Sequence, residues 1–176
     1  ETVSVSFAGA SEEYSGVKRI VADGGSGNDT IMLVNGVLAG ADLSGGSGDD
    51  NLAAGDGAAV LDGNDGNDTL SGSLRNDTIY GGNNDDIISG GDDDDILNGG
   101  AGNDILAGGK GHDILSGGAG DDGFYVSSGA DIYKGGSGYD VIYANQNGAN
   151  LQLDAGLLNS IEEISANGFL GMTISA

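Results

Sequence analysis

Residues 99–118 read GGAGNDILAGGKGHDILSGG, the same nine-residue phrase twice over with small changes. Each phrase opens on two glycines, carries an aspartate at its sixth place and a leucine at its eighth. From Gly45 the phrase runs without a gap to Tyr143, which makes 99 residues or eleven repeats. The sixth places are Asp50, Ala59, Asp68, Asp77, Asp86, Asp95, Asp104, Asp113, Asp122, Asp131 and Asp140. The eighth places are Leu52, Leu61, Leu70, Ile79, Ile88, Leu97, Leu106, Leu115, Phe124, Tyr133 and Ile142. Ten of eleven aspartates and an unbroken row of large apolar residues are a matter of order, not of composition. The nonapeptide is therefore the structural unit.

The unit continues upstream with interruptions. GGSGNDTIM at residues 24–32 fits it, with Asp29 and Ile31 in place. Residues 36–44 keep Leu43 but have Ala41 at the sixth place, and residues 33–35 are inserted between the two phrases. Nine residues are too few for a helical repeat, and glycine at such intervals would ruin a helix. The spacing predicts a turn of six residues rich in Gly, Asn and Asp, which tolerates positive φ, followed by a strand of three. In that strand the eighth place points inward and its neighbours lean outward. Two nonads then make one flattened coil, with turns on opposite edges and two parallel sheets facing each other. Residues 18 apart in sequence stack at about 4.8 Å. The fold class is all-β, a parallel β-solenoid.

Such stacking places the sixth-place aspartates in two files. One edge carries Asp50, Asp68, Asp86, Asp104, Asp122 and Asp140, with Asp29 joining at a spacing of 21 in place of 18. The other carries Asp77, Asp95, Asp113 and Asp131, with Ala59 and Ala41 where the file would continue. Carboxylates a few ångströms apart repel by kilocalories at intermediate dielectric, so positive charge is needed between the rungs. Oxygen donors without nearby His or Cys suit a hard cation with a flexible shell, calcium in preference to zinc or copper.

The phrase resembles GGxGxDxUx, the nonapeptide of the RTX (repeats-in-toxin, hemolysin-type calcium-binding) family. The resemblance spans residues 24–143. It implies a right-handed parallel β-roll with Ca²⁺ held between turns of repeats n and n+2, by the sixth-place Asp and main-chain carbonyls at the second and fourth places. Carried onto the first edge, the sets are Gly25, Gly27 and Asp29; Gly46, Gly48 and Asp50; Asn64, Gly66 and Asp68; Gly82, Asn84 and Asp86. They continue with Gly100, Gly102 and Asp104; Gly118, Gly120 and Asp122; and Gly136, Gly138 and Asp140. On the second edge they are Ser73, Arg75 and Asp77; Gly91, Asp93 and Asp95; Gly109, Gly111 and Asp113; and Gly129 with Asp131. About eight to nine ions would fit these intervals. Three turns depart from the pattern: GSLRND at residues 72–77, VSSGAD at 126–131, and AGDGAA at 54–59, where Asp56 is the one carboxylate within reach. The family also implies secretion from a Gram-negative bacterium, usually by a type I system, and folding on meeting extracellular calcium.

Composition points the same way. The 176 residues include 37 Gly, no Pro, no Cys, and 28 Asp and Glu against five Lys and Arg, for a formal charge of −23. That charge repels nucleic acid and anionic lipid and favours cations. No apolar run approaches the roughly 18 residues that cross a bilayer. A chain without Cys is compatible with secretion without disulfides.

No HExxH, GxSxG or P-loop is present and there is a single His, so the sequence offers no catalytic constellation. His112 falls at the fifth place of a turn, pointing outward. GAGDDG at residues 118–123 satisfies GxGxxG without a following helix, and the repeat explains it. In the run Asp92–Asp95 only Asp95 is in register, which leaves the others to solvent. Three NDT triplets, at Asn28, Asn67 and Asn76, arise from the fifth to seventh places of the phrase.

The flanks read as caps or continuing coils, residues 1–23 before the calcium-type repeats and 144–176 after them. Val3, Val5 and Phe7 alternate, Val17, Ile20 and Val21 form a second apolar stretch, and strands are expected near residues 151–153, 161–164 and 172–174. Solenoid ends expose sheet edges and need covering, which leaves end-to-end protein contacts as an expected type of partner. The abrupt start at Glu1 and stop at Ala176 suggest a portion of a longer chain. Two other roles share this sequence signature: a structural or adhesive surface-layer or filament unit, and an accessory module of a secreted protease, lipase or alginate epimerase.

Overall fold

A computed structural model describes residues 2–7, 10–126, 128–144 and 160–165. Its described secondary structure is all strand. Successive strands alternate between two parallel sheets, as a coil of two nonads requires. One sheet is β3 (Arg19–Ser26), β5 (Gly40–Ser47), β7 (Ala59–Asp65), β9 (Thr78–Asn83), β11 (Ile96–Ala101), β13 (Ile114–Ala119) and β16 (Ile132–Ser137), side by side in that order. The other runs β4 (Thr30–Met32), β6 (Asn51–Ala53), β8 (Thr69–Ser73), β10 (Ile87–Asp92), β12 (Ile105–Gly111), β14 (Gly123–Tyr125), β17 (Val141–Tyr143) and β18 (Glu163–Ser165). The short β15 (Ser128–Gly129) also pairs with β12.

Register follows the repeat. Ile88 lies beside Leu106 and Leu106 beside Phe124 in one sheet, while Leu97 lies beside Leu115 and Leu115 beside Tyr133 in the other. All eleven eighth-place residues are buried, and Leu43 joins them. The seventh-place Ile87, Ile96, Ile105 and Ile132 lean outward and are exposed. The eighth-place side chains form two facing apolar files between the sheets, and Ala41, Ala54, Ala59, Val126 and Ala144 join them in the core.

β4, β6, β14, β17 and β18 have the three residues expected from the sequence, whereas β5, β7 to β13 and β16 are longer. β10 runs from the seventh place of one repeat to the third place of the next. Its pairing with β12 breaks only at the first-place glycine and resumes at Gly91 beside Gly109. Glycine bends the chain there without ending the ladder, so the true turn is the fourth to sixth places. The insertion at residues 33–35 is absorbed on the surface. Val37 N–H closes a turn onto the Val34 carbonyl, Gly36 N–H donates to Asp56, and Ile31 still lies beside Leu52. The spacing of 21 therefore leaves the first file in register.

At the front, β1 (Thr2–Phe7) and β2 (Ala10–Ser15) form an antiparallel hairpin. The parallel ladder begins with β3, which takes up Ile20 and Val21 and pairs Arg19 with Gly40. At the back, β18 sets Ile164 beside Ile142 in parallel. The strands expected near residues 151–153 and 172–174 lie outside the described residues.

Candidate metal centres

The sixth-place aspartates form the two files that the spacing requires. Asp50, Asp68, Asp77, Asp86, Asp95, Asp104, Asp113, Asp122, Asp131 and Asp140 are all buried, Asp113 and Asp140 with no exposure at all; Asp29 is half-buried. Each carboxylate reaches back one coil. Asp29 N–H donates to Asp50 Oδ1 at 2.7 Å, Asp50 to Asp68 at 2.7 Å, Asp86 to Asp104 at 2.9 Å and Asp122 to Asp140 at 2.9 Å. On the second edge Ala59 N–H donates to Asp77 at 2.7 Å, Asp77 to Asp95 at 2.7 Å, Asp95 to Asp113 at 2.9 Å and Asp113 to Asp131 at 3.1 Å. Ala59 thus keeps its backbone place in the file but brings no carboxylate, and Asp56 is held away on the insertion.

The second oxygen of each carboxylate behaves differently. Oδ2 of Asp29, Asp50, Asp68, Asp86, Asp95, Asp104, Asp113, Asp122 and Asp140 is buried and has no hydrogen-bond partner. It sits against the first-place glycine: a Cβ on Gly99 would collide with Asp104 Oδ2, and one on Gly108 with Asp113 Oδ2. The first glycine of the phrase therefore makes room for the aspartate of the same turn, a role not evident from the sequence.

The residues expected to offer carbonyls are stacked as well. A Cβ on Gly46, Gly82, Gly100, Gly118 or Gly136 would strike the second-place carbonyl oxygen one coil earlier, of Gly25, Asn64, Gly82, Gly100 or Gly118 respectively. At the fourth place the same holds for Gly48 over Gly27, Gly66 over Gly48, Gly102 over Asn84, Gly120 over Gly102 and Gly138 over Gly120. On the second edge Gly91 faces the Ser73 carbonyl, Gly109 that of Gly91, Gly111 that of Asp93 and Gly129 that of Gly111. These oxygens point along the roll into the gaps between turns. Gly100 and Gly102 hold φ of 113° and 140°, a region that suits glycine. Arg75, Asn84 and Asp93 adopt positive φ of 82°, 78° and 72° at fourth places, so the turn survives their side chains, and Arg75 is the costly one. Among the described residues no three His, Asp or Glu side chains converge on a metal-sized space. A cation here needs the backbone.

A further ladder lies on the rim. On the first edge Asp49 N–H donates to Asn28 Oδ1, Asn67 to Asp49, Asp85 to Asn67, Asn103 to Asp85, Asp121 to Asn103 and Tyr139 to Asp121. Fifth-place Asx side chains thus reach forward one coil while sixth-place carboxylates reach back. The signal was present as Asn or Asp recurring every 18 residues, read in the sequence as incidental. His112 is exposed as expected, its backbone N–H bound to Asp94. In the Asp92–Asp95 run only Asp95 is buried, as expected; Asp93 and Asp94 are exposed, and Asp92 pairs on the surface with Lys110 Nζ at 2.8 Å.

A family model of the RTX calcium-binding nonapeptide repeat matches residues 21–33, 44–74, 62–97, 89–124, 98–133 and 125–147. The chain belongs to the RTX family. A search of curated proteins found no match.

In this RTX roll, burial holds the carboxyls of Asp68, Asp77, Asp86, Asp95, Asp104, Asp113, Asp122 and Asp140 above the usual carboxylate range. Desolvation is the largest cause throughout. It raises Asp86, Asp95 and Asp122 to about 7 and Asp77, Asp104 and Asp113 to about 6, against the pull of the N–H bond each accepts. Neighbouring carboxylates push Asp86, Asp95 and Asp122 further. A buried acid with one unpaired oxygen, next to stacked carbonyls, is a donor set waiting for positive charge. The RTX residues fit calcium: hard oxygens, variable geometry, and gaps that any side chain would fill.

Proposed function

We propose that this chain is a calcium-dependent β-roll module of a secreted bacterial protein, whose biochemical act is cooperative Ca²⁺ binding coupled to folding and not catalysis. The observation that carries it is the row of nine sixth-place carboxylate oxygens, buried and without a hydrogen-bond partner among the described residues. An unpaired buried charge is strongly unfavourable, and bound calcium supplies the compensating positive charge and an adaptable oxygen shell. Sixth-place aspartates would hold it together with second- and fourth-place carbonyls, giving about eight to nine ions per chain. Residues 1–23 and 144–176 serve as caps or continuing coils around the calcium-type repeats.

The core holds one large apolar side chain per nonad and a few small ones, too little to offset an ordering cost of about 1–2 kcal/mol per residue. Folding free energy then comes from binding, as in other metal-dependent small folds. Filling the sites would bring the formal charge from −23 to about −5. With half-saturation at about 10⁻⁴–10⁻³ M, the range of extracellular modules, cytosolic calcium would leave the chain unfolded and fit for export. No helix among the described residues is long and apolar enough to cross a membrane. The test is the number of ions retained after gel filtration in millimolar calcium, read by atomic emission: about eight to nine are expected, and only one or two would reject the reading.

A further inference from the structure

The turn at residues 126–131 lacks the opening glycine and has Val126 at its first place. In the regular rungs the outer aspartate oxygen occupies the space that a Cβ on the first-place residue would fill. Val126 brings a Cβ to this first place and is itself buried. Asp131 Oδ2 instead accepts a hydrogen bond from the Tyr133 hydroxyl at 3.0 Å. Tyr133 stands at the eighth place, where ten other repeats carry Leu, Ile or Phe, none of which has a hydroxyl to offer. It is 1% exposed, and its ring meets Phe124 edge-on with centroids 5.8 Å apart. Residues two apart on a strand share a face, so the phenol is well placed to reach the carboxylate of its own repeat. The strand it sits on, β16, is the last of its sheet among the described residues.

We propose that Tyr133 is an internal substitute for a cation: its hydroxyl satisfies the outer oxygen of Asp131 and closes the second file without metal. This rests on the calcium reading of the other rungs, and it takes the Asp113–Asp131 interval out of the nine between stacked aspartates, leaving about eight for calcium. A neutral donor fixed by the core compensates the carboxylate at any calcium concentration, so the last rung keeps its geometry where the others depend on the ion. Tyr133 is accordingly a positioning residue that acts through Asp131 and sets which rung goes without calcium.

The test is Tyr133→Phe, which keeps the ring, compared with the parent and with Tyr133→Phe combined with Asp131→Asn, each in millimolar calcium with β content checked by circular dichroism. The single variant, which lacks that hydroxyl, should retain one more calcium than the parent, and the double variant should return to the parent count. An unchanged or lower count in the single variant overturns the proposal. Should the variants fail to fold, the calcium-loaded parent decides alone. Its Tyr133 hydroxyl proton should be protected from exchange and give a resolved magnetic resonance signal, and a freely exchanging hydroxyl overturns the assignment. A parent that folds without retaining calcium would reject the calcium reading instead, and the hydroxyl signal then remains the test of the bond.

Discussion

The two edges of the roll are built from the same phrase and treat their aspartates differently. On the first edge the outer oxygen is unpaired at every rung from Asp29 to Asp140. On the second, the interior rungs Asp95 and Asp113 match it, while the end rungs do not: Ser73 N–H donates to Asp77 Oδ2 at 3.1 Å and the Tyr133 hydroxyl to Asp131. The first edge also carries the forward-reaching Asx ladder, of which the second shows the Asp94–His112 step. One period thus produces a long file that leans on cations throughout and a short file whose ends are closed by the chain itself. Both ends of the short file also depart from the phrase, at Ser73 and at Val126 and Tyr133.

The largest expected effect falls on what the edges share. Leu106 follows a first-edge turn and Leu115 a second-edge turn, and both are fully buried. Leu106→Ala and Leu115→Ala should each cost about 2–5 kcal/mol in calcium, measured by denaturant unfolding. A marked inequality would mean that the files do not share one core. Next come the aspartates. Asp104→Asn should raise the calcium midpoint about tenfold, because a charged ligand contact is worth about 1.5–3 kcal/mol. Asp77→Asn should shift it less, about threefold, since Ser73 already engages that oxygen. Equal shifts would erase the contrast between the edges.

Much of this was legible in the sequence, and the reasons are physical. A strict period of nine fixes which residues stack, so the inward file from Leu52 to Ile142 and both aspartate files could be read before any coordinates. Strand length was legible only where strands stop at three residues, as in β6 and β14, because elsewhere first-place glycine is a corner within the ladder. The fifth-place Asx ladder was missed because its residues look like ordinary polar turn content until stacking shows each Oδ1 facing an N–H. The Tyr133–Asp131 bond was hidden for another reason. Tyrosine satisfies the apolar pattern by its ring, and only the packing reveals where the hydroxyl goes.

A smaller effect concerns pH. Asp86 and Asp122 on the first edge, and Asp95 on the second, titrate near 3.8 in the unfolded chain and are raised to about 7 in the metal-free roll. Below 3.8 both states are protonated and the fold keeps its full share of stability; as the pH rises to about 7 the unfolded chain ionises first and that share is lost. In chelator, β signal should therefore be greater at about pH 4 than at about pH 8, while calcium affinity should strengthen in the opposite direction. A metal-free chain equally disordered at both would contradict the burial of these carboxyls. The smallest effect is at His112, whose exposed ring lies on the second edge. His112→Ala should change stability by no more than about 0.5 kcal/mol, because the backbone N–H makes its bond to Asp94. A larger loss would give the second edge a side-chain role absent from the structure.

The most direct measurement of the central claim is far-UV circular dichroism of the whole chain against free calcium, with magnesium as the control. Each site is built from two stacked coils, so filling one orders half of the next and the transition should be steep. Disorder is expected in chelator, with a cooperative rise in β signal at about 10⁻⁴–10⁻³ M calcium and little response to magnesium, which keeps its water and demands a stricter shell. A neutral, chelated sample that holds its full β signal would contradict the coupling of folding to calcium, and an equal response to magnesium would contradict the choice of ion.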